Sequence, residues 1–125
     1  MNINYIKEIN ESRVYDVAEK TPVSLLNKIS AKYNNTIYLK REDLQPIFSF
    51  KCRGAYNKIS SLSSNDKDKG IIAASAGNHA QGVALSASKL RINAMIVMPT
   101  TTPSIKIESV KKFGVKVKLY GDSFD

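Results

Sequence analysis

An α/β fold with a mostly parallel sheet and flanking helices is predicted for this chain, and three observations predict it. From Phe50 onward the pattern runs helix, strand, helix, strand, helix, strand, with short apolar strands between longer helical stretches. The stretch Asn78 to Leu90 is rich in Ala and Ser, small enough for a helix to lie close against a sheet. Gly114 closes the last helical stretch immediately before an apolar strand. Strands joined through helices favour crossover connections, and those place the strands parallel.

Taken in order, Asn4 to Lys20 carries Tyr5, Ile6, Ile9, Val14, Val17 and Ala18 at a spacing closer to helical than to alternating. Thr21-Pro22 ends it, because proline disfavours helical geometry in the residue before it. Ser24 to Lys32, with Leu25, Leu26 and Ile29, reads as a short second helix. Asn34-Asn35 is a turn, Thr36 to Lys40 a strand, and Arg41 to Pro46 a polar loop. Phe50 to Leu62 is helical and Ser63 to Gly70 a charged loop. Ile71 to Ala74 is a short buried strand, Asn78 to Leu90 a helix and Ala94 to Met98 a strand. Ser104 to Phe113 is a helix and Val115 to Tyr120 a third strand.

The chain has 125 residues, enough for one domain with a core. No apolar run approaches the roughly 18 residues of a membrane span. Met1 to Tyr5 lacks the basic start and apolar block of a secretory leader, so none is expected. A single cysteine, Cys52, makes no internal disulfide, which suits a reducing cytoplasm. One His and one Cys supply no zinc site. The formal charge of +8 raises the question of nucleic acid, but the fifteen lysines and four arginines are scattered along the chain. A nucleic-acid face gathers them with aromatics, so a solvated basic surface is the favoured reading.

Two segments carry chemistry. Ser75-Ala76-Gly77-Asn78 follows one predicted strand and opens a helix, where unpaired N–H groups suit a carboxylate or phosphate. Capping of that helix by Ser75 or Asn78 is the plainer alternative. His79 falls in the first helical turn, where a structural or backbone role is expected. Lys51 is one lysine of fifteen, so a surface role is its default. Its context raises it: Phe50 offers an apolar wall and Arg53 a nearby charge, the surroundings that make an amine a useful nucleophile. Cys52 reads as a buried small hydrophobe.

Lys40-Arg41-Glu42-Asp43-Leu44-Gln45-Pro46-Ile47-Phe48-Ser49-Phe50-Lys51-Cys52-Arg53-Gly54-Ala55-Tyr56 closely resembles the cofactor-lysine segment of the biosynthetic threonine dehydratase (threonine ammonia-lyase) family. Ala73-Ala74-Ser75-Ala76-Gly77-Asn78-His79-Ala80-Gln81-Gly82-Val83-Ala84 resembles that family's next signature. Ile96 to Thr100 and Phe113 to Val117 continue the resemblance in order, from about Arg13 to Asp125.

The resemblance implies a tryptophan-synthase-β-like fold, fold type II of the pyridoxal-phosphate enzymes. It implies that residues 1–125 are the N-terminal part of the catalytic domain of a longer enzyme. By it, Lys51 carries pyridoxal 5'-phosphate, Phe50 packs on its ring, and Asn78 hydrogen-bonds its phenolic oxygen. Ser75, Ala76, Gly77, Asn78 and His79 hold the substrate carboxylate. The implied reaction converts L-threonine, with L-serine as the alternative substrate, to a 2-oxoacid and ammonia, opening isoleucine synthesis in the cytoplasm. A homo-oligomer, a tetramer by resemblance, is implied, with neither nucleic acid nor membrane as partner.

Ala76 stands where the related serine racemases carry a serine, which argues against two-base racemisation. Lysine followed by Cys52-Arg53 departs from the Asp-Arg pair of cysteine and threonine synthases. The family's phosphate-binding glycine loop, pyridine-facing group and regulatory domain lie beyond these residues. Gly121 to Asp125 resembles a loop leading into another helix. The segment alone is therefore expected to be inactive, with a sheet edge exposed. The alternatives are a catalytically silent truncated or split remnant, and a basic nucleic-acid-binding module.

Overall fold

The computed structural model describes residues 4–123. Helix α1 (Tyr5–Glu11) begins where the Asn4 side chain accepts from the Lys7 amide at 3.2 Å. It stops at Ser12, whose hydroxyl donates to the Ile9 carbonyl, so the single helix expected from Asn4 to Lys20 is broken. A 3-10 turn, Val14–Asp16, follows. Strand β1 (Val23–Leu25) and helix α2 (Asn27–Lys32) divide the stretch expected to be one helix. β1 pairs antiparallel with β2 (Tyr38–Lys40), with Val23 opposite Lys40, and this tertiary pairing overrides the helical spacing of Leu25, Leu26 and Ile29.

A 3-10 turn, Glu42–Leu44, lies inside the predicted polar loop. Helix α3 (Lys51–Ser60) and helix α4 (Ser64–Lys69) come next. The second replaces the expected charged loop. Ser63 caps it by accepting from the Asp66 amide at 3.1 Å, and Gly70, at φ 84°, ends it.

The central sheet holds β3 (Ile71–Ala74), β4 (Ala94–Met98) and β5 (Lys116–Leu119), all parallel, with β4 in the middle. Helices α5 (Asn78–Leu90) and α6 (Ser104–Lys111) connect successive strands. The predicted parallel α/β architecture is thus present.

Strand alternation sorts the sheet's side chains. Ala73, Ile96 and Val117 share one row and join the core formed with Ala55, Ile59, Ala80, Val83, Ala84, Met98 and Val110. The opposite face carries the rows Ile72, Met95, Lys116 and Ala74, Val97, Lys118. Ile72 is 70% exposed, so β3 is buried on one face only, contrary to the expectation of a buried strand.

Helix α5 buries Ala80, Gly82, Val83, Ala84, Ser86 and Ala87, and its small residues admit α3 at close range. At Gly82 an added Cβ would stand 2.7 Å from the Lys51 carbonyl oxygen and 3.2 Å from the Ala55 Cβ. Gly82→Ala should therefore lower stability by about 1–3 kcal/mol through overpacking, exceeding the roughly 1 kcal/mol gain in helix propensity. Urea unfolding measures it. An equal or greater midpoint would show that the Lys51 segment yields freely.

Candidate active site

The carboxyl ends of β3 and β4 lead into Ser75–Gly77 and Pro99–Pro103, the end of a parallel sheet where ligands bind. The Ser75 amide continues the sheet pairing by donating to the Val97 carbonyl at 3.0 Å. Gly77 occupies the cap position of α5, which has no side-chain cap. Neither Ser75 nor Asn78 takes that role. The Ser75 hydroxyl instead accepts from the Gly77 amide at 3.3 Å. The first-turn N–H groups of α5 are thereby left for an anion, and the helix dipole favours one there.

Lys51 is the first residue of α3 and is exposed. Its Nζ lies 5.2 Å from the centre of the Phe50 ring, and it belongs to none of the ion pairs among the described residues. Because Gly82 lies one turn beyond Asn78, the contact at Gly82 fixes the Lys51 backbone one helical turn from Asn78.

A cavity of about 410 Å³ opens beside this contact, lined among others by Phe50, Lys51, Lys58, Ile72, His79 and Val83. That volume falls within the roughly 300–1,000 Å³ of small-molecule sites. The structure thus brings Phe50, Lys51 and His79 around one cavity. Ser75, Ala76, Gly77 and Asn78 are not among the residues that line it. His79 is exposed and is among the residues that line the cavity.

Arg53, expected as a nearby charge, carries that charge in an ion pair. Its guanidinium is held by Glu42 in a two-point pair, Nε to Oε2 at 2.8 Å and Nη2 to Oε1 at 3.0 Å. It lies over the Tyr15 ring at 5.5 Å and is no free charge beside Lys51. Glu42 further accepts from the Thr21 hydroxyl at 2.9 Å and from the Gln45 amide. The hydrogen bonds from Arg53 above all, then those from Thr21 and Gln45, hold the Glu42 carboxyl down to about 2. Cys52 is fully buried, as expected of a small hydrophobe, and burial pushes its thiol above the ordinary value.

Further along α3, the buried Tyr56 hydroxyl donates to Asp16 at 2.7 Å, tying α3 to the 3-10 turn before it. That bond lowers the Asp16 carboxyl, and burial, followed by Asp16 itself, raises Tyr56. Gly82, Glu42 and Gln45 matter to this site and were not singled out from the sequence. The readable signal was a glycine within an otherwise helical Ala/Ser run, which marks close approach of another backbone.

These residues fit the aldehyde and aromatic ring of a cofactor such as pyridoxal phosphate. An exposed amine stands beside an aromatic ring and a cavity, near a helix start that has amides to give. A family model described as pyridoxal-phosphate dependent enzyme matches residues 14–125. The biosynthetic L-threonine dehydratase of Haemophilus influenzae is 56% identical over 123 residues, covering 98% of this chain and 24% of that protein. The chloroplastic biosynthetic threonine dehydratase of Arabidopsis thaliana is 54% identical over 123 residues, covering 98% of this chain and 21% of that protein. Among solved structures, the processed form of threonine deaminase isoform 2 from Solanum lycopersicum superposes with a TM-score of 0.91 at 55% identity, covering 97% of this chain and 33% of that one. Maize serine racemase gives 0.88 at 36% identity, covering 95% and 37%. The chain spans about a quarter or less of these two dehydratases' lengths.

Glu42 sets a pH dependence. Its carboxyl sits at about 2 in the fold against 4.5 ordinarily, so below pH 4.5 the unfolded chain binds more protons. The stability it contributes is complete above pH 4.5 and lost as the pH falls toward about 2. Urea midpoints of the native chain and Glu42→Gln should converge across that window, and a constant gap would contradict the assignment.

Proposed function

The chain belongs to the pyridoxal-phosphate dependent enzyme family, and on that premise we propose that it forms the lysine-bearing, N-terminal part of the catalytic domain of a threonine ammonia-lyase. The reaction converts L-threonine to 2-oxobutanoate and ammonia and supplies isoleucine synthesis. The single observation that carries this reading is the contact at Gly82, which holds Lys51 one turn from the uncapped start of α5.

Each residue has a part. The Lys51 amine would hold the cofactor and, when free, would take the proton from the substrate's Cα. When bound, pyridoxal phosphate supplies an electron sink for the pair that proton leaves behind. Phe50 would pack against the cofactor's ring. Asn78 would donate to the cofactor's phenolic oxygen. The first-turn amides of α5, with Ser75, Ala76, Gly77 and His79 around them, hold the substrate carboxylate and so orient Cα toward Lys51.

Ala76 favours elimination over racemisation, because its methyl has no proton to deliver to the opposite face of Cα. L-serine is the alternative substrate. Fully buried Cys52, with no disulfide, suits a cytoplasmic protein, and no helix among the described residues is long and apolar enough to cross a membrane. The intact enzyme is proposed to work as a homo-oligomer, a tetramer.

In the full-length protein loaded with pyridoxal phosphate, L-threonine should release 2-oxobutanoate. Lys51→Ala should cut kcat by about 10²–10⁴-fold, the contribution of a positioned general base. Turnover of native magnitude in that variant, measured by 2-oxoacid release, would remove Lys51 from the reaction.

A further inference from the structure

Lys51 is approached through a strained turn. Phe48, three residues earlier, has φ 55°, a left-handed conformation uncommon for a bulky side chain. It is 76% exposed, so packing does not hold it there. What holds it lies behind. The Phe48 amide donates to the Gln45 carbonyl at 2.8 Å, and Gln45 is only 1% exposed. The Gln45 side chain accepts from the Glu19 amide at 2.8 Å and donates to the Glu19 carbonyl at 3.0 Å. It also donates to the Glu42 carboxylate and accepts from the Cys52 thiol at 3.7 Å.

On the far side of the turn, Arg53 grips the same carboxylate in its two-point pair and reaches the Glu19 carbonyl at 3.3 Å. Residues 46–52 are thus strung between two anchors, Gln45 and Arg53, that share Glu42. Inside the turn, the Ser49 hydroxyl accepts from the Lys51 amide at 3.3 Å and the Ser49 carbonyl accepts from the Cys52 thiol at 3.5 Å. Glu42, Gln45 and Arg53 do not line the cavity that Lys51 lines.

We infer that Glu42, Gln45 and Arg53 are positioning residues that hold the strained Phe48–Lys51 turn and so set where the Lys51 amine stands. This rests on the proposed role of Lys51. Lysine at position 53 would keep the charge but lose the planar fork, and glutamine at 42 would keep the shape but lose the charge. Either change lets the turn relax without touching the reacting atoms.

The test uses the full-length holoenzyme with Arg53→Lys and Glu42→Gln. Each should lose about 10–100-fold in kcat for L-threonine, the cost of a displacement of about 1 Å, with KM within about twofold. The pH midpoint of the Lys51-bound cofactor's visible absorbance should also move, which a merely structural role would not cause. Folded variants with native kcat and native midpoint overturn the inference and leave the proposed function standing. A native holoenzyme that carries no cofactor on Lys51 overturns both. If either variant fails to fold, Phe48→Gly is added to release the strain. Glycine takes that conformation without strain, so recovery of folding together with kcat supports positioning through the turn, and recovery of folding with kcat still lost, or no recovery of folding, overturns it.

Discussion

Helix α3 can lie against α5 at this distance only because residue 82 has no side chain. The rest of the structure depends on that approach. It puts the Lys51 carbonyl where a Cβ would otherwise stand, and it presses Ala55 and Ile59 of α3 into the core with Ala80, Val83 and Ala84 of α5. The same contact sets Lys51 against the start of α5, so core packing and site geometry are one constraint. A substitution there is felt as both lost stability and a displaced amine, since interiors this dense transmit strain.

The second support is polar. The Glu42–Arg53 pair is partly buried, and such a pair is weak evidence for stability on its own, because desolvation offsets much of its attraction. Its value lies in what it joins. One carboxylate receives Arg53 from α3, Thr21 from the segment before β1 and Gln45 from the turn before Lys51. A hydrophobic replacement could match its stability but not its geometry. Beyond it, the Tyr56–Asp16 bond ties the middle of α3 to the N-terminal segment.

Much of this was legible. The strands Ile71–Ala74 and Ala94–Met98 and the helix Asn78–Leu90 lie where apolar spacing put them, because short apolar runs bounded by turn residues have few alternatives in a parallel sheet. Elsewhere local pattern competed with tertiary pairing. Val23–Leu25 became a strand only because Tyr38–Lys40 lies beside it, a pairing no local window contains. Helix α4 was readable in hindsight from Ser63 followed three residues later by Asp66. Ile72 looked buried because its neighbours are apolar, whereas alternation turns it to the face that no described element covers. The end of the expected loop at Gly121 to Asp125 includes Phe124 and Asp125, which lie outside the described residues.

At the site, the helix start at Asn78 was readable, while capping by Ser75 or Asn78 is absent and Arg53, expected as a nearby charge, is paired with Glu42. Ser75 meets the Gly77 amide two residues on, a local contact, whereas Arg53 meets Glu42 across the fold. The central claim, that this geometry selects one amine of fifteen, is tested most directly by borohydride reduction of the loaded full-length protein followed by peptide mass mapping. The account predicts the reduced cofactor on the peptide containing Lys51 and on none of the other fourteen lysines of this segment. Label on another lysine, or spread over several, would contradict it.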